Sequence, residues 1–326
     1  MNDIKNEKYK EWIQVSVKQF VRGVWKYATD GDYRFLIDAN NGKYDNIPDE
    51  DYLRRKFFAV MKQPLHLEDP RTFNEKLQWL KLYNRKPEYT MMVDKYKVRE
   101  YIQQKIGEEY LIPLLGVWDD PDEIDFDALP NQFVLKCNHN SGLGMCICKD
   151  KSSLDIPKVK AGLRKGLKQD YYLTGREWPY KDVPRKIICE QYMQDDSGTG
   201  ELADYKVLCF NGEPRLVEIH HGRFEGGHTQ DFYDLEWNKT DIEQPGYPLS
   251  DKVMDKPVFG DEMYGLTKIL AKDIPHVRID WYYSEGHLYF GEMTFFDGSG
   301  FSPFYGDADM KLGSWLQLPS MSKNIE

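Results

Sequence analysis

Apolar residues recur at helical spacing along residues 11–29. Trp12, Val15, Val17, Phe20, Val21 and Val24 fall on one broad stripe, which predicts a helix. The next helix starts at Thr72. Thr72 and Glu75 have capping-box spacing, in which each side chain satisfies a free backbone N–H of the first turn, and Phe73, Leu77 and Leu80 supply the buried face. A third helix is expected from Asp94 as N-cap, with Val98, Tyr101, Ile102 and Ile106 inward and Lys95 and Lys97 in its first turn. Pro113 and the acidic stretch 119–127 mark a loop, and beyond it the apolar pattern changes to that of strands. Strands are predicted at 133–136, 145–148, 186–193, 204–210, 214–220, 277–283 and 287–293. A helix at 261–272 turns Leu266, Ile269 and Leu270 inward. Asn211-Gly212 joins two of the strands, and both residues tolerate positive φ, the hairpin requirement. The second half therefore reads as mixed α+β built from antiparallel hairpins, not as alternating βαβ units.

Composition narrows the function classes. The 326 residues are 40% hydrophobic, with 22 Tyr, 16 Phe and 8 Trp, enough for a real core. The net charge of −10 repels phosphate backbones and anionic lipid, so general binding to nucleic acid or to a membrane surface is not expected. The opening MNDIKNEKYK is charged and leads into no apolar signal region, and no apolar run is long enough to span a bilayer. The five cysteines include no CxxC pair and mostly sit in apolar strands, as reduced core residues of a cytoplasmic protein would. His220, His221 and His228 match no zinc spacing. With Arg223 and Gly226-Gly227 they read as a substrate-facing loop or as a plain surface loop.

Two segments carry candidate chemistry. Strand 133–136 runs into the polar loop Cys-Asn-His-Asn-Ser141-Gly142-Leu-Gly144 and then into a second strand. Neither a Walker A loop nor a Rossmann loop is present, since both require a following helix. A glycine loop between antiparallel strands can act as a flap whose backbone N–H groups cover a triphosphate, with Lys136 aimed at phosphate oxygens. Taken alone, the segment reads more simply as an ordinary hairpin turn with a surface lysine.

The second segment is Val277-Arg-Ile-Asp-Trp281 followed by Phe290-Gly-Glu-Met-Thr294. A turn centred near Gly286 sets Asp280 opposite Glu292 and Arg278 opposite Thr294. Strand alternation then puts these four on one face, and Val277, Ile279, Trp281, Met293 and Phe295 on the other. Two facing carboxylates repel. Magnesium, which favours one or two carboxylates plus phosphate oxygens, resolves that repulsion; without it, Asp280→Asn should relieve strain. A structural Arg–Asp–Glu cluster on a solvated sheet face is the alternative.

Together these stretches resemble the ATP-grasp superfamily, and within it the TupA-like family named for teichuronopeptide biosynthesis. The matching runs are Thr72-Phe-Asn-Glu-Lys-Leu-Gln-Trp-Leu-Lys, Asp94-Lys-Tyr-Lys-Val-Arg-Glu-Tyr, Phe133-Val-Leu-Lys-Cys-Asn-His-Asn-Ser-Gly, Asp204-Tyr-Lys-Val-Leu-Cys-Phe-Asn-Gly-Glu-Pro and Val277 to Phe301. The resemblance implies an α+β ATP-grasp fold, two lobes clasping ATP after a helical N-terminal segment. Its parts would be a segment at 1–90, a small lobe with the flap at 91–190 and a large lobe with the metal site at 191–326. It implies Lys95 and Lys136 on ATP phosphates, Ser141, Gly142 and Gly144 as the flap, and Glu190, Gln191, Tyr192 and Met193 as the adenine-holding hinge. It further implies Asp280, Glu292 and Thr294 as Mg2+ ligands, with Thr294 where the superfamily usually has Asn. Arg278 would steady the acyl phosphate, Asp204 and Lys206 would line the cleft, and Ser299 would sit near the bound substrate.

The implied reaction is an ADP-forming ligation of a carboxylate to an amine, the acid drawn by family analogy from a surface glycan. No constellation for nucleophilic catalysis by the protein stands against it. Two other classes share parts of the pattern. A kinase-like phosphotransferase would use the same flap and carboxylates, but HRD and DFG are missing and Phe296-Asp297-Gly298 is only near. A glycan-binding or transferase protein on the same fold would not need Lys136, Asp280 and Glu292.

Overall fold

The computed structural model describes residues 21–194, 202–222 and 227–320. Trp12, Val15, Val17 and Phe20 of the first expected helix, and Arg223 and Gly226 of the histidine loop, lie outside the described residues; 21–29 are helical as expected. The chain divides into two compact units, Met1–Leu65 and His66–Glu326.

In the first unit, helices at Gly31–Asn40 and Asp49–Met61 follow residues 21–29. Asp30 caps the former by accepting from the backbone N–H groups of Asp32 and Tyr33. Phe35, Tyr52, Leu53 and Phe57 are buried, and Asp32 is held by Arg55 at 2.7 Å and Lys62 at 2.9 Å.

The second unit holds two antiparallel sheets. The first comprises β1 (Leu114–Trp118), β2 (Phe133–Cys137), β3 (Cys146–Cys148) and β4 (Ile187–Gln191), in the order β1-β4-β2-β3. Helix Ile156–Lys168 lays Leu163 onto Phe133, Leu135, Cys148, Ile187 and Cys189. The second sheet comprises β5 (Asp204–Phe210), β6 (Glu213–His221), β7 (Thr229–Tyr233), β8 (His276–Ser284) and β9 (His287–Thr294), in the order β7-β6-β5-β8-β9. Helix Gly260–Ala271 covers its apolar face through Met263, Thr267 and Leu270. Ile269, expected inward on this helix, is 47% exposed. The burial stripe runs through 263, 267, 270 and 271 instead.

Thr72 and Glu75 form the expected capping box at the start of helix Phe73–Tyr83. The Asp94 carboxylate accepts from the N–H groups of Tyr96 and Lys97 in the turn that leads into helix Val98–Lys105. The pattern passed over β1, β7 and the helices at Gly31–Asn40, Asp49–Met61, Glu88–Val93, Ile156–Lys168, Tyr171–Gly175 and Ala308–Trp315. Helix 156–168 carries two glycines, which lower helix propensity. β7 is a short strand, Thr-Gln-Asp-Phe-Tyr, with polar residues on both faces. Among the described residues no helix is long and apolar enough to cross a membrane.

Candidate functional site

The site grows from the β8–β9 hairpin. Its turn is two residues long, with Glu285 at φ 53° and Gly286 at φ 76°. Continued without interruption, that turn would set Asp280 opposite Gly291. A bulge intervenes after the Trp281–Phe290 pair, so Asp280 faces Glu292 and Arg278 faces Thr294. The expected pairing is present, reached by a tighter turn plus a bulge where the sequence suggested a turn centred on Gly286. A Cβ at residue 291 would meet the Asp280 carbonyl oxygen and Tyr282 Cε2, each at 3.0 Å. Glycine stands where the strands close most tightly.

The two faces separate as expected. Val277, Ile279, Trp281, Met293 and Phe295 are buried, and Trp281 Nε1 donates to Thr267 on the covering helix at 2.8 Å. On the other face Glu218 of β6, Lys206 of β5, Asp280 of β8 and Glu292 of β9 are successive cross-strand partners in one row. Lys206 bridges Asp280 and Asp204, the latter at 2.7 Å. Arg278 donates to Asp280 at 2.7 and 2.9 Å, to Asp297 at 2.5 Å and to Thr294 at 3.3 Å. It also lies 3.5 Å from Glu292. Lys95 reaches in from the first sheet's side, 3.2 Å from Glu292 and 3.0 Å from the Asn140 carbonyl.

This geometry corrects the expectation that Asp280 and Glu292 repel across a bare pair. Lys206 and Arg278 clamp Asp280, so Asp280→Asn removes a counter-charge that two cations share, where a bare facing pair would only have lost its repulsion. Burial works against the Lys206 charge, but Asp280, Asp204 and Glu218 raise its pKa above the ordinary lysine value. Burial also pushes the Glu292 carboxyl up, yet Lys95, Arg278 and Lys206 hold it well below the usual carboxylate range. For Asp280 burial prevails over Arg278 and Lys206 and leaves the pKa raised.

The first sheet presents the other expected groups. Lys136 pairs with Glu190 at 2.6 Å, on neighbouring strands β2 and β4. β4 ends at Gln191, leaving Tyr192 and Met193 outside the strand, half-buried beside an exposed Gln191. Gln194 is tied to the hairpin, its carbonyl accepting from Ser284 at 2.8 Å. In the glycine loop Ser141 and Gly142 are exposed, and Gly142 has open space around it. Gly144 is different. A Cβ there would meet the Gly162 carbonyl at 3.0 Å and Gly166 Cα at 3.2 Å, and one at Gly166 would meet the Leu143 carbonyl at 2.6 Å. The loop base is pressed against helix Ile156–Lys168, and only the tip stands clear.

Several residues that shape the site escaped the sequence reading. Asn138 ties the loop base to the Lys95 turn, donating to Asp94 at 2.7 Å and accepting from the Lys186 N–H at 2.7 Å. Asp94 and Asn138 lay inside the stretches singled out, but nothing local pairs residues 44 apart. Lys81, fully buried, donates to the carbonyls of Gly175 and Ser299 at 2.7 Å each. It holds the run Gly298-Ser299-Gly300, whose φ values are 52°, 54° and 61°. Asp297 grips Arg278; its signal was its place three residues beyond Thr294. Ser299 therefore lies on a loop that begins beside Asp297. His220 and His228 do not converge on a point as metal ligands would. They hydrogen-bond to each other at 2.8 Å, and His220 to Glu218 at 2.5 Å. No cluster of three or more His, Cys, Asp or Glu suited to a metal occurs among the described residues.

The family model for TupA-like ATP-grasp proteins matches residues 75–317, well over half of the chain. The chain belongs to the TupA-like ATP-grasp family. It is thereby an ATP-grasp ligase, and its two helix-covered antiparallel sheets are the α+β lobes of that fold. No curated protein matches it. Among solved structures it is similar to D-alanine–D-alanine ligase from Helicobacter pylori, with 13% identity and a TM-score of 0.40 over 75% of this chain and 69% of that one. D-cycloserine synthetase DcsG is similar at 12% identity and a TM-score of 0.41 over 70% of each chain. The Bacillus anthracis D-alanine–D-alanine ligase complexed with ATP gives 16% identity and a TM-score of 0.36 over 63% of this chain and 55% of that one.

Proposed function

We propose that this chain is a magnesium-dependent carboxylate–amine ligase that works through an acyl phosphate. ATP lies in the cleft between residues 91–190 and 191–326. The observation that carries this reading is that Lys206, Arg278, Asp280 and Glu292 share one sheet face and Lys95 reaches Glu292 from outside that sheet. Three cations there stand against the carboxylates of Asp204, Glu218, Asp280, Glu292 and Asp297, a formal balance of −2. All five are hard oxygen donors, suited to Mg2+. Glu292 is the more open ligand, with loose partners and a 32% exposed side chain. Asp280 would join through lone pairs its cations leave, and Thr294 through its hydroxyl. Bound there, the metal supplies charge neutralisation for the phosphates.

The chain's own groups do the rest. Lys95 and Lys136 hold phosphate oxygens, Glu190, Gln191, Tyr192 and Met193 hold adenine and ribose, and Ser141, Gly142 and Gly144 cover the triphosphate. A substrate carboxylate oxygen attacks the γ-phosphorus, the bond to the β-phosphate oxygen breaks, and ADP leaves. Arg278, fixed by Asp280 and Asp297, steadies the charge that develops, while Lys206 and the Ser299 loop orient the acid. An amine then displaces phosphate. By family analogy the acid is a uronic acid carboxylate of a surface polysaccharide and the amine an amino acid. ADP release screened over uronic acids and amino acids, with mass spectrometry of the product, tests this. A stable phosphorylated product without amide would make the chain a phosphotransferase instead.

A further inference from the structure

The segment 169–180, between helix Ile156–Lys168 and β4, takes no part in the proposed chemistry, yet it is fastened to both the glycine loop and the end of β9. The Gln169 carbonyl meets His139 Nε2 of the glycine loop at 3.1 Å. Gly175 presses on the Ser299 loop so closely that a Cβ there would collide with Ser299 Oγ. Lys81 locks the two together by donating to both carbonyls. Trp178 stacks on Tyr89 at 6.0 Å and Tyr89 on Phe295 at 4.1 Å, and Phe295 directly follows Thr294 of β9. These anchors set Tyr171 and Tyr180 between the flap tip and the charged face. Their half-buried rings meet edge to face, with centroids 4.8 Å apart. Both phenols lie in the field of Glu292 and Arg278, and the Tyr171 hydroxyl is turned to Ser141 at the flap tip. The Tyr180 hydroxyl has no hydrogen-bond partner among the described residues, and neither hydroxyl is buried away from solvent.

We propose that Tyr171 and Tyr180 form a selective wall for the acid substrate, with their rings packed on the C–H groups of a saturated ring and their hydroxyls hydrogen-bonded to its hydroxyl groups. This inference rests on the ligase reading above and deepens it. The wall adjoins the Ser299 loop, which orients the acid in that reading, so the acid is the substrate it meets. A phenol carries one hydrogen to donate and two lone pairs to accept with. It also presents an apolar body beside that polar tip. Two such groups side by side match a carbon ring that bears hydroxyls, the chemistry of a sugar acid. An acid without hydroxyls would displace water from both phenols and return no hydrogen bond, which costs it affinity. Selection of the acid thus falls to a segment outside both sheets, while the charged face of the second sheet serves any carboxylate alike.

Hydroxylamine captures an acyl phosphate as hydroxamate, so the acid can be tested without knowing the amine. The full chain is assayed with Mg-ATP, hydroxylamine and one of three acids: glucuronate, galacturonate, or cyclohexanecarboxylate, a ring acid without hydroxyls. The variants are Tyr171→Phe, Tyr180→Phe and the two combined, since Phe keeps the ring contact and removes only the hydroxyl. Wild type should favour at least one uronate over cyclohexanecarboxylate in kcat/KM. Each single variant should raise the KM for that uronate about 3–10-fold, the range of one neutral hydrogen bond, with kcat changed less than about twofold. The combined variant should lose about 10–100-fold in kcat/KM for the uronate. The values for cyclohexanecarboxylate and the KM for ATP should move less than about twofold in every variant. Equal loss with both kinds of acid, or loss with neither, overturns the wall and leaves the ligase reading standing. A wild type that prefers cyclohexanecarboxylate does the same. Hydroxamate from none of the three acids overturns the ligase reading and the wall together.

Discussion

The contact between the glycine loop and helix Ile156–Lys168 offers a test with a built-in control. The helix contains Gly162 and Gly166, four residues apart, and helix propensity taken alone favours alanine at both. Glycine inside a helix costs about 1 kcal/mol against alanine. At Gly162 a Cβ meets nothing within 4 Å, so Gly162→Ala should stabilise by about that amount. At Gly166 the same Cβ lies 2.6 Å from the Leu143 carbonyl, 2.7 Å from Cys137 Sγ and 3.2 Å from Gly144 Cα. Ordinary contact begins near 3.4 Å, so backbone on one side must move by about 0.8 Å. Overpacking of this kind costs about 1–3 kcal/mol. Subtracting the helical gain leaves Gly166→Ala about 0–2 kcal/mol less stable than wild type, and about 1–3 kcal/mol below Gly162→Ala. Urea denaturation of both variants reads the difference. The displaced backbone belongs to the loop base, so Gly166→Ala should also weaken Mg-ATP binding by calorimetry while Gly162→Ala leaves it alone. Equal stabilisation by both alanines would refute the pinned loop.

Further outcomes follow from the cleft and the core. Asp280→Asn should cost less than the about 3–5 kcal/mol of an unpaired buried charge, because Lys206 keeps Asp204 and Arg278 keeps Asp297; a loss of that full size would show that both cations depend on Asp280 alone. Glu292→Gln should melt below wild type, because Lys95, Arg278 and Lys206 lose the carboxylate they hold ionised, and should abolish magnesium-dependent ADP release; full activity would end its assignment as a ligand. Lys136→Ala should weaken ATP binding by about 1.5–3 kcal/mol, the scale of a charge-assisted hydrogen bond, and unchanged affinity by calorimetry would remove Lys136 from the site. His276 is buried against Phe73 and Phe210, and burial depresses its pKa from 6.5 to about 3. Between those values the unfolded chain takes up a proton that the folded chain refuses. Stability should therefore fall by about 1.4 kcal/mol per pH unit on acidification through that window, and His276→Phe should flatten the slope in urea titrations.

The sequence revealed most where chemistry is local. The Thr72–Glu75 box, the Asn211-Gly212 turn and β5 are each set by neighbours along the chain, and all were legible. The split of the β8–β9 hairpin into an apolar and a charged face was legible for the same reason, since alternation is a local code. What stayed hidden depends on partners far along the chain. The role of Lys206 as counter-ion to Asp280 spans 74 residues, and the grip of Lys81 on Ser299 spans 218. Helix Ile156–Lys168 was not predicted, and its two glycines lower its helix propensity. At Gly166 the glycine answers to the loop packed against it, and no single-chain pattern records that.

The bulge at Gly291 makes strand parity the inherited quantity of this hairpin. A two-residue turn with one extra residue in β9 delivers Glu292 and Thr294 to the same side as a three-residue turn without a bulge. Insertions and deletions can therefore be exchanged between the turn and the strand as long as their sum stays odd. An uncompensated single insertion between Phe290 and Glu292 would carry both residues to the apolar side and send Met293 into the cleft. Such a change would lose the charged face and the core in one step. Hairpin lengths in this family should accordingly vary in linked pairs of positions, a rule that alignments gapped one column at a time would obscure.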